Sequence, residues 1–154
     1  MPLETLRLRV ASLEDAKRLF DWSGALGPDV APLWGRPVWQ EHLAWFELLI
    51  GPTDTLLFMG EAGRTDDIIG AVCLRAVATD TWSVDIVIAP EFRRRGWSAK
   101  LLALAMAHLE PATFVARISG SDDHARSLFV GAGFVRVGEA EGWELFRREA
   151  ADTA

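Results

Sequence analysis

The chain has 154 residues, half of them apolar and a quarter charged, a balance that predicts one domain over residues 1–154 around one core and excludes a disordered chain. A net charge of −6 argues against a general grip on nucleic acid, which needs many cations to neutralise phosphates. No run approaches the ~20 apolar residues of a membrane span and the start has no cationic leader, so the expected setting is the cytoplasm, with no membrane partner.

In chain order, Leu6–Val10 alternates apolar and polar residues as a strand does, and Ser12-Leu13-Glu14-Asp15 reads as the capped start of a helix reaching about Trp22. Ser23–Pro37 carries three glycines and three prolines and is expected to be an irregular loop on the substrate side. Val38–Leu49 returns to helical spacing, with Val38, His42, Trp45 and Leu49 along one face. Strands are expected at Thr55–Glu61, Ile68–Ala76, Thr81–Ala89 and Thr113–Ile118, the first two joined by a hairpin loop at Gly63–Asp67. Helices are expected at Ser98–Leu109 and Asp122–Ala132, and a closing pair of strands at Phe134–Val137 and Glu144–Arg148. The order βααβββαβαββ describes an α/β (α+β) domain with a mixed sheet and helices on both sides. Cys73 is the one cysteine; it falls in an apolar run and reads as a buried thiol, which leaves no disulfide and no metal site.

The stretch Val84–Leu102 carries the clearest chemistry. An apolar strand enters the turn Arg93-Arg94-Arg95-Gly96, and a helix follows. Glycine permits close backbone approach, a new helix offers unpaired N–H groups and the positive end of its dipole, and arginines add fork-shaped donors for phosphate oxygens. Asp85 lies upstream on the strand, among Val, Ile and Ala. Burial there would raise its pKa toward the range of a general base, and the plainer alternative is an aspartate that only holds the sheet. In Asp122–Phe134, Asp122 is a good N-cap and Gly133 suits a left-handed helix end.

Pro90 through Ser98 resembles the R/Q-x-x-G-x-G/A acyl-CoA signature of the GNAT N-acetyltransferase superfamily, and Asp122 through Phe134 resembles its N-x-x-A-x-x-x-Y-x-x-x-G-F motif. The resemblance implies a mostly antiparallel sheet with a splayed central strand pair, and acetyl-CoA as cosubstrate. It assigns Ile86, Val87 and Ile88 to the pantetheine arm, and Arg93, Arg94, Arg95, Gly96, Trp97, Ser98 and Ala99 to the diphosphate turn. Asp122, Ala125 and Phe129 fall on the cofactor side, and Asp85 becomes the candidate base for direct attack of an amine on the thioester. Ser98 stands where Gly or Ala is usual, Asp122 where Asn is common, and Phe129 where a tyrosine often serves as acid. The chain has no tyrosine at all, which leaves solvent or His124 for that role.

Gln40-Glu41-His42-Leu43-Ala44-Trp45-Phe46 resembles the E-H-x-x-W-F helix of amino-sugar N-acetyltransferases of the pseudaminic-acid pathway, and Leu13–Trp22 resembles that group's first helix, although Ser23-Gly24 replaces its Arg-Asn pair. Trp39, Glu41, His42 and Trp45 are accordingly the expected acceptor contacts, with core packing the alternative for the aromatics. The implied partners are acetyl-CoA and a small primary amine, with a nucleotide-linked amino sugar first and a homodimer as the assembly in view. Aminoglycosides, polyamines, a protein N-terminus, and an acyl-CoA binder without catalysis stay open.

Overall fold

Leu6–Val10 (β1) pairs antiparallel with Thr55–Ala62 (β2), which pairs antiparallel with Asp67–Ala78 (β3), and β3 with Thr81–Ile88 (β4). Thr113–Ser119 (β5) lies parallel to β4, and Trp143–Arg148 (β7) pairs antiparallel with both β5 and Val135–Ala140 (β6). The result is one seven-stranded sheet in the order β1-β2-β3-β4-β5-β7-β6. The computed structural model describes residues 5–26, 38–51, 53–63 and 67–150, the side chains of 23–26 excepted.

Strand alternation divides the core between two faces. Phe58, Val72, Leu74, Val84 and Phe114 point to the back face, against Leu101, Leu102, Ala105 and Met106 of helix α3 (Trp97–Leu109) and Phe129 of helix α4 (Asp123–Gly131). Leu57, Met59, Ala71, Cys73 and Val87 point to the front face, against Leu19 and Trp22 of helix α1 (Asp15–Leu26) and Phe46 and Leu49 of helix α2 (Trp39–Ile50). α3 buries one face, Trp97, Leu101, Leu102, Ala105 and Met106, and leaves Lys100, Leu104 and His108 exposed, while α1 keeps Lys17 and Asp21 on an exposed ion-paired side.

Most element boundaries agree with the sequence reading within two residues. α1 is an exception: it runs on through Leu26, so the first residues of the expected loop are helical, and residues 27–37 lie outside the described residues, as do 64–66 of the hairpin loop. The buried face of α2 is His42, Phe46 and Leu49, with Val38 exposed as its N-cap. α1 begins as expected near Ser12. The Asp15 carboxylate reaches back to accept from the Ser12 N–H at 2.9 Å, the return half of a capping box, and takes two further bonds from Arg9 at 2.8 and 2.9 Å.

Candidate active site

β4 and β5 are laddered at three residue pairs only, Thr81–Thr113, Trp82–Phe114 and Ser83–Val115. Beyond them β4 stays on β3 as far as Ile88, and β5 stays on β7 as far as Ser119, so the two strands part. The splay leaves the backbone groups of Val84–Ile88 that face β5 without a ladder partner, and opens a cleft of about 620 Å³.

At the open end, Ala89 leads into a turn of 3₁₀ helix (Pro90–Phe92) and then the arginine turn. Arg93 is extended, Arg94 is left-handed at φ 63° and Gly96 at φ 80°, an alternation that gathers successive N–H groups into an anion-binding concavity. A Cβ at Gly96 would meet nothing within 4 Å, so the glycine is there for its φ and not for space. Gly96 caps α3 without any side-chain hydrogen bond, which leaves the first N–H groups of the helix free for an anion.

The opposite wall is α4. Asp122 accepts from the Ala125 N–H at 2.9 Å, and the helix closes with Gly133 at φ 96° and the Phe134 N–H on the Phe129 carbonyl at 3.0 Å, so both expected caps are present. Phe129 is buried in the cleft wall with its ring edge-on to Phe134 at 5.0 Å. It offers carbon where a tyrosine would offer a hydroxyl.

Asp85 lies opposite Cys73 of β3 and faces the front, on the far side of the sheet from Val84. Burial pushes its carboxyl above the ordinary aspartate value of 3.8, and the charges of Arg75 and Arg117 pull it part of the way back. Neither arginine is within ion-pair distance, so the carboxylate is not locked in a salt bridge. Burial likewise pushes the Cys73 thiol up to about 11, which makes it inert.

Of the residues expected at the cofactor, Ile86, Val87, Ile88, Arg93, Arg94, Gly96, Trp97, Ser98, Asp122, Ala125 and Phe129 line the cleft together with Asp85. Arg95 does not: its guanidinium lies over the Phe92 ring at 5.6 Å. Ala99 is exposed and also outside the lining. Trp97 fills the turn, buried beside Ala62 and Ile69 with Lys100 over its ring.

The acceptor expectation fares differently. His42 is fully buried and its Nε2 is 2.6 Å from the Ala16 carbonyl, which ties α2 to α1 and removes this residue from any ligand surface. Trp39 stacks on His42 at 5.8 Å and Trp45 lies 5.4 Å from it, so both belong to the same α1–α2 seam, while Glu41 is exposed on α2. None of the four lines the cleft. Residues absent from the sequence reading do line it, notably Arg117, Ser119 and Trp143. Their signal was the polar alternation of β5, which becomes meaningful only with the Ser83–Val115 register. A second hollow of about 530 Å³ lies between α1 and the 3₁₀ turn, lined by Pro90 and Glu91 and by Lys17, Arg18 and Asp21, side chains already engaged in ion pairs, and it shares no lining residue with the cleft.

Residues 17–134 match the acetyltransferase (GNAT) family. The chain belongs to that family. As a GNAT enzyme it is an acyltransferase with acetyl-CoA as cosubstrate. No curated protein sequence matches it significantly. Among solved structures, the spermidine N-acetyltransferase from Vibrio cholerae in complex with CoA and spermine aligns with a TM-score of 0.76 at 18% identity, over 92% of this chain and 92% of that one. A spermidine N-acetyltransferase chimera from Vibrio cholerae and hSSAT gives 0.78 at 18% identity, over 94% and 95%. A protein named as a candidate phosphinothricin N-acetyltransferase gives 0.71 at 20% identity, over 96% and 100%. At such identities the likeness is one of fold, and the mixed seven-stranded GNAT sheet is common ground. Among the described residues no helix is long and apolar enough to cross a membrane.

Proposed function

We propose that the protein is a cytoplasmic N-acetyltransferase acting on the primary amine of a small molecule, with Asp85 as its general base. The observation that carries this reading is the place of Asp85, two residues past the last β4–β5 pair, at the closed end of a cleft whose open end is the phosphate turn. A nucleotide-linked amino sugar is the acceptor class that the resemblance of α2 implies, although Trp39, Glu41, His42 and Trp45 do not line the cleft. Support for CoA in the cleft comes from the unladdered edge of Val84–Ile88, which suits the amide arm, and from the left-handed residues Arg94 and Gly96 beside an uncapped helix start, which suit the diphosphate.

Acetyl-CoA, when bound, supplies the thioester carbonyl at which the amine lone pair forms the C–N bond while the C–S pair leaves on sulfur. Asp85 takes the proton that an ammonium must lose before that lone pair exists, and its raised pKa makes it a better acceptor than an ordinary aspartate. Arg75 and Arg117 hold that rise in check. Phe129 has no proton to give, so the sulfur takes its proton from solvent or from His124, which also lines the cleft; a good leaving group tolerates either. Val84 and Ile86, packed against the back core, hold the strand that carries Asp85.

Thiol release from acetyl-CoA across amino sugars, aminoglycosides, polyamines and peptides tests the reading, alongside a thermal shift with CoA. Amine-dependent release is expected. Stabilisation by CoA with no release on any amine would favour a binder without catalysis, and no CoA effect would remove the cofactor assignment.

A further inference from the structure

Most arginines among the described residues have a carboxylate partner: Arg9 holds Asp15 and Glu61, Arg126 holds Asp123 and Glu144, and Arg148 holds Glu110. Arg7, Arg18, Arg136 and Arg147 are likewise paired. The exceptions lie in the phosphate turn and on the strands beside Asp85, where Arg93, Arg94 and Arg117 line the cleft. Arg93, Arg94 and Arg95 belong to the phosphate turn, and two remain that the turn does not explain, Arg75 and Arg117.

Both stand on the front face around Asp85. Arg117 is two residues past Val115 on β5, as Asp85 is two residues past Ser83 on β4, so the pair flank the splay at one level. Arg75 pairs with Ser83, and its neighbour on the same face, Cys73, pairs with Asp85, so Arg75 approaches from the β3 side. Arg117 lines the cleft with its guanidinium over the Trp143 ring at 5.1 Å. That stack orients the plane and leaves the N–H edge available for an oxyanion. The front of β5 and β7 continues with Val115 and Leu145, and among the described residues neither α1 nor α2 has an extensive contact with these strands.

Two cations without an ion-pair partner, set around one carboxylate, leave the surroundings of Asp85 net positive, which repels an acceptor of several positive charges. They suit one whose own anion meets them while its amine meets Asp85. We propose that Arg117, assisted by Arg75, forms an oxyanion subsite, so that the acceptor is an amine bearing a carboxylate or phosphate group. This rests on the N-acetyltransferase reading and narrows it. A nucleotide-linked amino sugar belongs to the class; a polyamine does not.

The test uses matched amines with acetyl-CoA and the full chain: glucosamine 6-phosphate against glucosamine, leucine against isoamylamine, and spermidine. The anionic member of at least one pair should have the higher kcat/KM by tenfold or more; which pair responds distinguishes phosphate from carboxylate. Arg117→Gln should shrink that preference at least tenfold, chiefly through KM, and Arg117→Lys should restore part of it. Spermidine or the neutral amines as the better substrates, or a preference unmoved in Arg117→Gln, would overturn the subsite while leaving acetyl transfer intact. Binding of the same amines to the CoA complex is read by calorimetry. Arg117-dependent binding of the anionic amines with no turnover would uphold the subsite and sink the transferase reading, whereas no binding and no turnover of any anionic amine would sink the subsite.

Discussion

Asp85 and Arg117 stand at the same level on the two arms of the splay, each two residues beyond the last β4–β5 pair and each on the front face of the sheet. One parallel register therefore sets both a base and a neighbouring cation. Had the strands stayed laddered to Ile88, there would be no cleft between them, and both side chains would belong to an ordinary sheet surface.

The first consequence concerns pH. A base works when ionised, and burial raises the Asp85 pKa above 3.8 while Arg75 and Arg117 lower it. The acid limb of kcat/KM should thus lie above the ordinary aspartate range, and Arg117→Gln should move it to still higher pH by removing one lowering charge. Comparing wild type with variant on one neutral amine cancels the titration of the amine itself. A limb unmoved or moved downward would contradict the electrostatic coupling.

Gly96→Ala should weaken CoA. The φ of 80° is left-handed, and an L side chain there costs about 1 kcal/mol or moves the turn. CoA affinity is expected to fall roughly fivefold if the turn relaxes by that amount, with the unliganded melting temperature little changed. Calorimetric titration with CoA checks it. Undiminished affinity would mean that the anion site does not depend on this backbone geometry.

Asp15 is a stability residue, separate from the site. Burial pushes its carboxyl up, but the Arg9 hydrogen bonds, the Ser12 N–H and the charges of Arg9 and Arg18 outweigh that and hold it below 3.8. A depressed folded pKa gives stability that is full above 3.8 and is lost as pH falls below it. Asp15→Ala should cost about 2 kcal/mol at neutral pH, because Arg9 and the Ser12 N–H lose their partner. Urea unfolding at pH 7 and at pH 3 should show this difference narrowing at the lower pH.

The cofactor half of the molecule was legible in the chain because its chemistry is local. Arg93–Ser98 form a turn and a helix start within six consecutive residues, and Asp122 and Gly133 cap a single helix. The acceptor half depends on what lies across the sheet. His42 and Trp45 have the residue types of a binding helix, yet the pull of the α1 core takes His42 inward to the Ala16 carbonyl. Arg117 looks like a solvated strand residue until the register sets it level with Asp85. Arg95 shows the same limit within the turn itself, since three consecutive arginines cannot all face one cleft and the third stacks on Phe92.

The central claim is that Asp85 serves chemistry at the closed end of the splay, and Asp85→Asn tests it most directly. Thiol release on the best amine at neutral pH should fall by ~10²-fold or more, while the thermal shift caused by CoA persists. Because the folded carboxyl has a raised pKa, its ionised form is a burden on the fold that grows as pH rises through that value, so the variant should melt no lower than wild type at neutral pH. Wild-type turnover in Asp85→Asn, or a fall in activity matched by a fall in melting temperature, would contradict the account and make Asp85 a residue that only holds the sheet.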